Sequence, residues 1–166
     1  MKHGSTTAYV GLGANLGDAR NTIERALDAL SHLEDTRLVA RSSLYSSDPV
    51  GYLDQPSFIN AVAAIETSLA PETLLEKLLS LEKDFGRIRS FPDAPRTLDL
   101  DLLLYGNAVL SSPTLTLPHP RMHERAFVLI PLIELCPGVG IPGQGAASTL
   151  VARCAAQHVE RVQQSR

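Results

Sequence analysis

The sequence predicts an α+β fold, namely a ferredoxin-like antiparallel sheet with helices on one face, plus additional C-terminal helices. Strand-like and helix-like segments follow one another as β-α-β-β-α-β between residues 8 and 106, which is the order of the split βαβ unit. In both helix-like segments, apolar residues recur every three or four positions, as expected for helices that cover one face of a sheet. Two more helical patterns follow in the C-terminal part.

The first half of the sequence contains three strand-like segments, with one helix between the first and the second of them. Residues 8–13 are a short apolar run that ends in glycine, and Asp18 is a candidate N-cap for the helix that follows. That helix carries its apolar residues on one side: Ile23, Ala26, Leu27, Leu30 and Leu33. Strands are expected over residues 36–45 and 58–67. The turn-rich segment between them, 46–56, is longer than a hairpin needs, so we expect a functional loop.

End signals mark the elements of the second half. Pro71 suits the first turn of a helix, and Gly86 suits a helix end. The strand predicted over residues 95–106 alternates at first and then becomes a continuous apolar run, as in a strand that enters a core covered on both sides. Further helices are expected over residues 124–135 and about 148–164.

The composition favours one domain that spans residues 1–166 and has neither nucleic-acid nor membrane partners. The chain has an ordinary domain length and a formal net charge of −3, so no general polyanion-binding surface is expected. No apolar run approaches the roughly 20 residues of a membrane span. The two cysteines, Cys136 and Cys154, form neither a metal motif nor a disulfide framework. We therefore expect a cytoplasmic protein.

Asp99 and Asp101 are the most informative polar residues of the chain. In a strand they lie on one face, with their Cα atoms roughly 6.6–7 Å apart. Like charges at that distance need a cation between them, or one of them must hold a proton. Mg²⁺ is the simplest cation for two carboxylates. The alternative is an ordinary solvated strand face.

Basic residues surround this pair in the sequence. Arg87, Arg89 and Arg96 precede it within ten positions, and arginine forks match phosphate oxygens. His119 and Arg125 follow it and add positive charge if they reach the same face. Together these residues indicate a phosphoryl-transfer site. Alone, an arginine is usually a solvated surface residue, and the alternative for His119, which lies between prolines, is that it caps a turn.

Phe58 and Asn60 place an aromatic ring beside an amide at the start of a strand. Such a pair is able to hold a planar heterocycle by stacking and hydrogen bonding. The alternative is that Phe58 belongs to the core and Asn60 caps a bulge.

The segment that carries the aspartates, PRTLDLDLL at residues 95–103, is long and specific. It resembles the signature of the 6-hydroxymethyl-7,8-dihydropterin pyrophosphokinases, enzymes of the folate pathway. Further matches run along nearly the whole chain, at residues 13–17, 54–56 and 58–60, at Glu82 with 86–89, and at 118–120 and 125–127.

The resemblance implies transfer of a diphosphate from ATP to the pterin hydroxymethyl group with release of AMP, by an enzyme expected to be a monomer. It implies that Asp99 and Asp101 hold two Mg²⁺ ions and that they act in catalysis with Arg87 and Arg96. The ATP-binding residues that it implies are Glu82, Arg87, Arg89, Arg96, Leu102, His119 and Arg125. The pterin-binding residues that it implies are Ser47, Asp48, Val50, Phe58, Asn60 and Phe127, with the two phenylalanines stacking on either side of the ring.

Several positions depart from the family pattern. Phe91 stands in a short loop where some members carry tryptophan, Asp48 replaces a common proline, and Pro120 follows His119 where an aromatic residue occurs. Leu79 replaces a polar residue near the adenine. Two other classes stay open from the residues alone, a metal-dependent phosphohydrolase on a similar sheet and a non-catalytic binding module.

Overall fold

A computed structural model describes residues 4–49, 54–86 and 97–163. Its elements are β1 (Thr6–Ala14), α1 (Ala19–Ser31), β2 (Thr36–Arg41), β3 (Tyr45–Ser47), β4 (Phe58–Thr67), α2 (Pro71–Asp84), β5 (Asp99–Tyr105), β6 (Leu110–Ser111), β7 (Thr116–Leu117), a 3₁₀ turn (Met122–Glu124), α3 (Ala126–Leu135), β8 (Gly140–Ile141), β9 (Gly145–Ala146), α4 (Ala147–Ala152) and β10 (Val159–Arg161).

The main sheet has the predicted ferredoxin-like topology. Within the described residues its strand order is β10-β3-β4-β1-β5, with β2 also paired to β4, and all of these pairings are antiparallel. The strand predicted over residues 36–45 is divided into β2 and β3. The division falls at Ser42, whose hydroxyl accepts the N–H of Val62 at 2.9 Å in place of a ladder carbonyl, so the chain bends there.

Helices α1 and α2 cover one face of the sheet, as predicted. The Asp18 carboxylate caps α1 by accepting the N–H of Asn21, and Gly86 follows α2 with a φ of +78°, a conformation that favours glycine. The core between these helices and the sheet includes the fully buried side chains Val10, Ile23, Leu30, Ile65, Leu74 and Leu78.

The C-terminal helices pack on the opposite face, where they form a second core. Leu129 and Leu132 of α3 are fully buried against Val62 and the end of β5. At Leu103 the pairing of β5 with β1 shifts by one residue, so Leu103 and Leu104 both enter this second core while Leu102 stays in the first. The apolar run at the end of β5 is therefore buried on both sides, as its sequence predicts.

The prediction of a long last helix is wrong. Helix α4 ends at Ala152, and residues 159–161 instead form β10, which pairs with β3. Val159 is the first residue of β10, and the N–H of Val162 donates to the carbonyl of Leu44 at 2.8 Å. The free edge of β3 thus overrides the local helical pattern, because it offers backbone partners that a helix over these residues would forgo.

The preceding helix begins later than expected. It starts at Ala126 rather than residue 124, because residues 122–124 form the 3₁₀ turn and Arg125 is extended (φ −118°, ψ 109°). Among the described residues, no helix is long and apolar enough to cross a membrane. Cys136 and Cys154 are both free thiols.

Candidate active site

The aspartate pair lies on the sheet face opposite α1 and α2. Leu98, Leu100 and Leu102 are buried in the first core, so the alternating Asp99 and Asp101 point the other way and are partly exposed. In the antiparallel register Asp99 lies opposite Gly13 of β1, and Asp101 opposite Gly11.

These two glycines are here called the glycine strip (Gly11 and Gly13). Gly13 is partly exposed, whereas Gly11 is buried and a Cβ atom added to it would lie 3.4 Å from the Leu103 side chain. Their neighbours Val10 and Leu12 are buried in the first core, so the strand alternation puts the glycines on the side of the aspartates. On the far side of β1, Asn60 of β4 lies opposite Gly13. Asn60, Gly13 and Asp99 thus form a row across three strands, whose outer Cα atoms are roughly 10 Å apart.

The amide of Asn60 is held in one orientation. Asn60 is 3% exposed, and its Nδ2 donates to Ser47 Oγ at 2.6 Å and to the Tyr45 carbonyl at 3.4 Å. The oxygen faces the other way, since a Cβ atom added to Gly13 would lie 3.4 Å from Oδ1. The row therefore presents a hydrogen-bond acceptor above the glycine strip.

A first cleft opens over this row and encloses about 720 Å³ of empty space, part of which is open to solvent. Phe58 and Phe127 contribute aromatic rings to its walls, and the guanidinium carbon of Arg125 lies 5.5 Å from the centroid of the Phe127 ring. Its lining consists of Gly11, Leu12, Gly13, Ser47, Asp48, Phe58, Asn60, Ala61, Asp99, Asp101, Arg125, Phe127 and Val128.

A second, wider cleft of about 980 Å³ lies on the other side of β5 and shares Asp99 and Asp101 with the first. Its remaining walls come from α2, β5 and the segment between β6 and the 3₁₀ turn: Leu75, Leu79, Glu82, Leu100, Leu102, Ser112, Pro113, Thr114, Leu115, Thr116, His119 and Pro120. The carboxylates therefore stand where two ligands can meet.

His119 is fixed next to Asp101 by the irregularity of β5. The carbonyl of Leu103, the residue at which the pairing shifts, accepts the N–H of His119 at 2.9 Å. The N–H of Arg121 donates to Nδ1 of the His119 ring at 3.2 Å. Nδ1 is therefore an acceptor, and the proton of the neutral ring lies on Nε2, which is 3.9 Å from Asp101 Oδ1.

The His119 ring is neutral near pH 7. Burial and the positive charge of Arg125 lower the pKa of His119 to about 4, although Asp99 opposes them. The contact with Asp101 is thus not an ion pair, and His119 offers an N–H donor to the second cleft. Arg125 lines the first cleft, and its charge also affects the pKa of His119 in the second cleft, so this guanidinium acts on both clefts.

Glu82 connects α2 to the strand that carries the aspartates. Its side chain is 4% exposed, and Oε2 accepts the N–H of Leu100 at 2.7 Å. Leu100 lies between Asp99 and Asp101, so this bond ties the backbone of the pair to α2.

The structure brings most of the described site residues together. Ser47, Asp48, Phe58, Asn60 and Phe127 line the first cleft, and Glu82, Leu102 and His119 line the second. Arg125, expected with the nucleotide residues, lines the first cleft. Phe58 and Asn60 border the cleft, as in the ligand-binding interpretation. Five further residues named from the sequence lie outside the described residues: Val50, Arg87, Arg89, Phe91 and Arg96.

The glycine strip is a part of the site that was not predicted from the sequence. Its signal is present in the strand pattern, because glycine occupies alternate positions of β1 while Val10, Leu12 and Ala14 fill the core. The wall at residues 112–116 carries no comparable signal, because it depends on how the β6–β7 hairpin folds against β5.

A fold with two clefts that share a carboxylate pair indicates a two-substrate enzyme of the α+β class. The model of the family "7,8-dihydro-6-hydroxymethylpterin-pyrophosphokinase (HPPK)" matches residues 9–137. The 2-amino-4-hydroxy-6-hydroxymethyldihydropteridine pyrophosphokinase of Pseudomonas aeruginosa is 49% identical over 154 residues, 93% of this chain and 95% of that protein. The Haemophilus influenzae protein of the same name is 46% identical over 87% of this chain and 91% of its own length.

A solved structure agrees in fold. The crystal structure of a Plasmodium falciparum HPPK-DHPS triple mutant covers 94% of this chain with a TM-score of 0.73 at 12% identity, and the chain spans 43% of its length. The family model and the identity with the two bacterial proteins show that the chain belongs to the HPPK family. It is an ATP-dependent diphosphotransferase, and the phosphohydrolase and binding-module alternatives are not supported.

Proposed function

We infer that the protein transfers a diphosphate from ATP to the hydroxymethyl group of 6-hydroxymethyl-7,8-dihydropterin and releases AMP, as a step of folate biosynthesis. Membership of the family carries the reaction. The observation that supports the placement of the substrates is the pair of clefts that share Asp99 and Asp101. The pterin, which accepts the diphosphate, would lie in one cleft and ATP, which donates it, in the other, so that the two substrates meet at these carboxylates.

The first cleft suits the pterin. Phe58 and Phe127 offer faces for a planar ring, and the fixed Oδ1 of Asn60 accepts an N–H from its edge. Gly13, which has no side chain and is partly exposed, lets the ring lie against the backbone of β1. We assign the pterin site to Ser47, Asp48, Val50, Phe58, Asn60 and Phe127.

The second cleft suits ATP. It is the wider of the two, and the neutral His119 points an N–H donor into it. We assign the nucleotide site to Glu82, Arg87, Arg89, Arg96, Leu102, His119 and Arg125. Arg125 approaches from the first cleft, where its charge suits the diphosphate between the two substrates.

The donor set of Asp99 and Asp101 fits Mg²⁺. Two carboxylates on one strand face supply hard oxygen ligands but leave most of an octahedral sphere to water and phosphate oxygens, as is usual for Mg²⁺ in nucleotide sites. We propose that the pair holds two Mg²⁺ ions together with ATP. When bound, the ions neutralise phosphate charge and make phosphorus more electrophilic.

The protein side of the reaction is positioning and charge. A bond forms between the pterin hydroxymethyl oxygen and the β-phosphorus, the bond from that phosphorus to the α-phosphate oxygen breaks, and AMP leaves. Arg87 and Arg96 hold the diphosphate oxygens, and Asp99 or Asp101 accepts the hydroxyl proton. The two cleft walls keep the reacting groups in line.

The remaining assignments concern the whole chain. We propose that residues 1–166 form one catalytic domain, that the protein acts as a monomer, and that it is cytoplasmic. The continuous pairing of the main sheet from β10 to β5 supports a single domain.

The reaction is tested by AMP release from ATP and Mg²⁺ with and without 6-hydroxymethyl-7,8-dihydropterin. We expect AMP only with the pterin, and loss of AMP formation when a chelator removes the metal. Inorganic phosphate released without the pterin would contradict the proposal.

The carboxylate pair is tested by Asp101→Asn. Because a neutral amide binds the cation more weakly than a carboxylate and does not balance its charge, kcat should fall about 10³-fold while thermal unfolding stays close to the wild type. Asp28→Asn, on the exposed side of α1, is the matched control and should keep full activity. Near-normal turnover by Asp101→Asn would refute the metal assignment.

A further inference from the structure

The side chain of Gln157 makes hydrogen bonds with the backbone on both sides of Arg125. Its Oε1 accepts the N–H of Ala126 at 2.9 Å, and its Nε2 donates to the carbonyl of Glu124 at 2.7 Å. Gln157 lies beyond the segment 9–137 that the family model matches.

The backbone at Arg125 needs such a partner. Arg125 is the extended residue between the 3₁₀ turn and α3, and it is the N-cap of α3 without a side-chain cap bond. The first N–H groups of a helix have no partner within the helix. The arginine side chain has no acceptor atom and so cannot bond these N–H groups. The side-chain amide of Gln157 accepts the N–H of Ala126 and donates to the carbonyl of Glu124, the last residue of the 3₁₀ turn.

The position of Gln157 is set by packing that is independent of any substrate. Leu150 and Cys154 are buried in the second core together with Met122 and Ala126, which flank the Arg125 segment. The N–H of Gln157 then donates to the carbonyl of Cys154 at 2.9 Å and closes the turn after α4. The C-terminal segment is thereby a fixed support for residues 124–126.

The direction of the Arg125 side chain has chemical consequences. Its guanidinium lies over the ring of Phe127, lines the cleft that contains both aspartates, and acts electrostatically on His119 in the other cleft. A rotation of the backbone at Arg125 would move this charge by several ångströms, because the guanidinium sits at the end of a long side chain.

We propose that Gln157 is a positioning residue for the reaction, which holds the 124–126 backbone so that the Arg125 guanidinium stays between the two substrate clefts. The proposal rests on the assignment of Arg125 to the phosphate groups. It predicts a dependence of catalysis on Gln157 that passes through Arg125.

A double-mutant cycle tests this dependence. Gln157→Ala should lower kcat/KM for ATP about 10-fold, as expected when a charged group is displaced by about an ångström or less. In an Arg125→Ala background the same change should have almost no further effect on kcat/KM, since the group that it positions is gone. Gln144→Ala, which removes an exposed amide from the β8–β9 hairpin, is the matched control and should keep wild-type kinetics.

The outcomes separate positioning from plain stabilisation. If Gln157 only anchors the C-terminal segment, Gln157→Ala will lower the unfolding midpoint, and its effect on kcat/KM will be absent or equal in both backgrounds. Either result would overturn the proposal. A second measurement does not depend on turnover: the ¹⁵Nε–H resonance of Arg125, assigned by its loss in Arg125→Ala, should shift in Gln157→Ala and not in Gln144→Ala. An unshifted resonance also contradicts the proposal, whereas wild-type protein that releases no AMP with the pterin would instead refute the proposed function.

Discussion

Gly13 determines how closely a flat ligand can approach the sheet. A Cβ at this position would lie 3.4 Å from Asn60 Oδ1 and 3.9 Å from Phe58 Cδ1. Both distances are ordinary contacts, so the protein itself has room for a methyl group. The methyl group would, however, stand in the cleft beside the amide oxygen that we assign to the pterin.

We therefore expect Gly13→Ala to raise KM for the pterin about 10-fold, since one misplaced methyl group in a fitted pocket costs about that much. KM for ATP should change less, because the second cleft does not include Gly13. Steady-state kinetics with each substrate varied, together with thermal unfolding, measure both effects. Gly138→Ala, with no atom within 4 Å of the added Cβ, is the control, and an unchanged pterin KM in Gly13→Ala would contradict the placement of the ring.

Helix α3 is fastened to the bend between β2 and β3 by one carboxylate. Glu134 accepts the N–H and hydroxyl of Ser43 and the hydroxyl of Tyr45. Burial alone would raise the pKa of Glu134, but the hydrogen bonds from Tyr45 and Ser43 and the charge of Arg161 together outweigh it and hold this pKa below its usual range. Burial and the neighbouring Glu134 raise the pKa of Tyr45 to about 12. Tyr45 pairs with Asn60, so this anchor supports the strand that orients the Asn60 amide.

Because the pKa of Glu134 is lower in the folded chain than in the unfolded chain, its stabilising effect is present above its unfolded-state pKa and is lost as the pH falls through the folded-state pKa. Glu134→Gln should reduce the free energy of unfolding by about 1 kcal/mol near neutral pH, a small value because Glu134 is largely exposed. The difference from wild type should shrink as the pH falls from neutral through the folded-state pKa, and it should vanish once Glu134 is protonated in the folded chain. Urea unfolding across this range, with the exposed Glu76→Gln as control, measures it; a difference that is constant with pH would contradict the assignment.

Elements with complete local signals were predictable. Helix α2 begins at its proline and ends before its glycine, and β5 alternates until it enters the double-sided core. The prediction of a helix over residues from about 148 to 164 was wrong because these residues carry only a weak helical pattern, while the edge of β3 that β10 occupies is a distant feature that no local pattern reveals. The division of the second predicted strand at Ser42 was not predicted for a related reason. There the Ser42 hydroxyl, rather than a backbone carbonyl, accepts the N–H of Val62, and no local pattern reveals this contact.

The site was predictable in its residue types and not in its layout. The period of two at Asp99 and Asp101 indicates a shared face. That this face meets Gly13 and Asn60 depends on the register of three strands, and the support of Arg125 by Gln157 depends on a turn more than thirty residues away in the chain. Such long-range geometry follows from the packing of the second core.

At the scale of the whole molecule, the C-terminal segment completes the sheet. β10 covers the outer edge of β3, the carbonyl of Gln163 accepts a bond from Arg20 of α1 at 3.0 Å, and Val162 bonds to Leu44. The strand that brings Ser47 to the first cleft is thus held between β4 and β10.

A chain that stops after residue 158 keeps Gln157 but loses β10. We expect its free energy of unfolding to fall by about 2 kcal/mol, the worth of a few backbone hydrogen bonds and partly buried valines. Amide hydrogen exchange at residues 45–47 should accelerate far more than exchange in α1. A chain that lacks only residues 164–166 is the control, and equal protection of β3 in both truncated chains would show that β10 does not hold it.

The wall that the two clefts share also has a thermodynamic consequence. A ligand in one cleft alters the charge and the hydration of the same carboxylates that the other ligand meets, so the two affinities are linked. By reciprocity, the factor by which ATP changes the affinity for the pterin equals the factor by which the pterin changes the affinity for ATP. The coupling alone therefore favours neither order of arrival, which depends on the affinity of each ligand for the free enzyme and on its entry rate. An occupant that tightens binding in one cleft must itself be bound more tightly when the other cleft is filled.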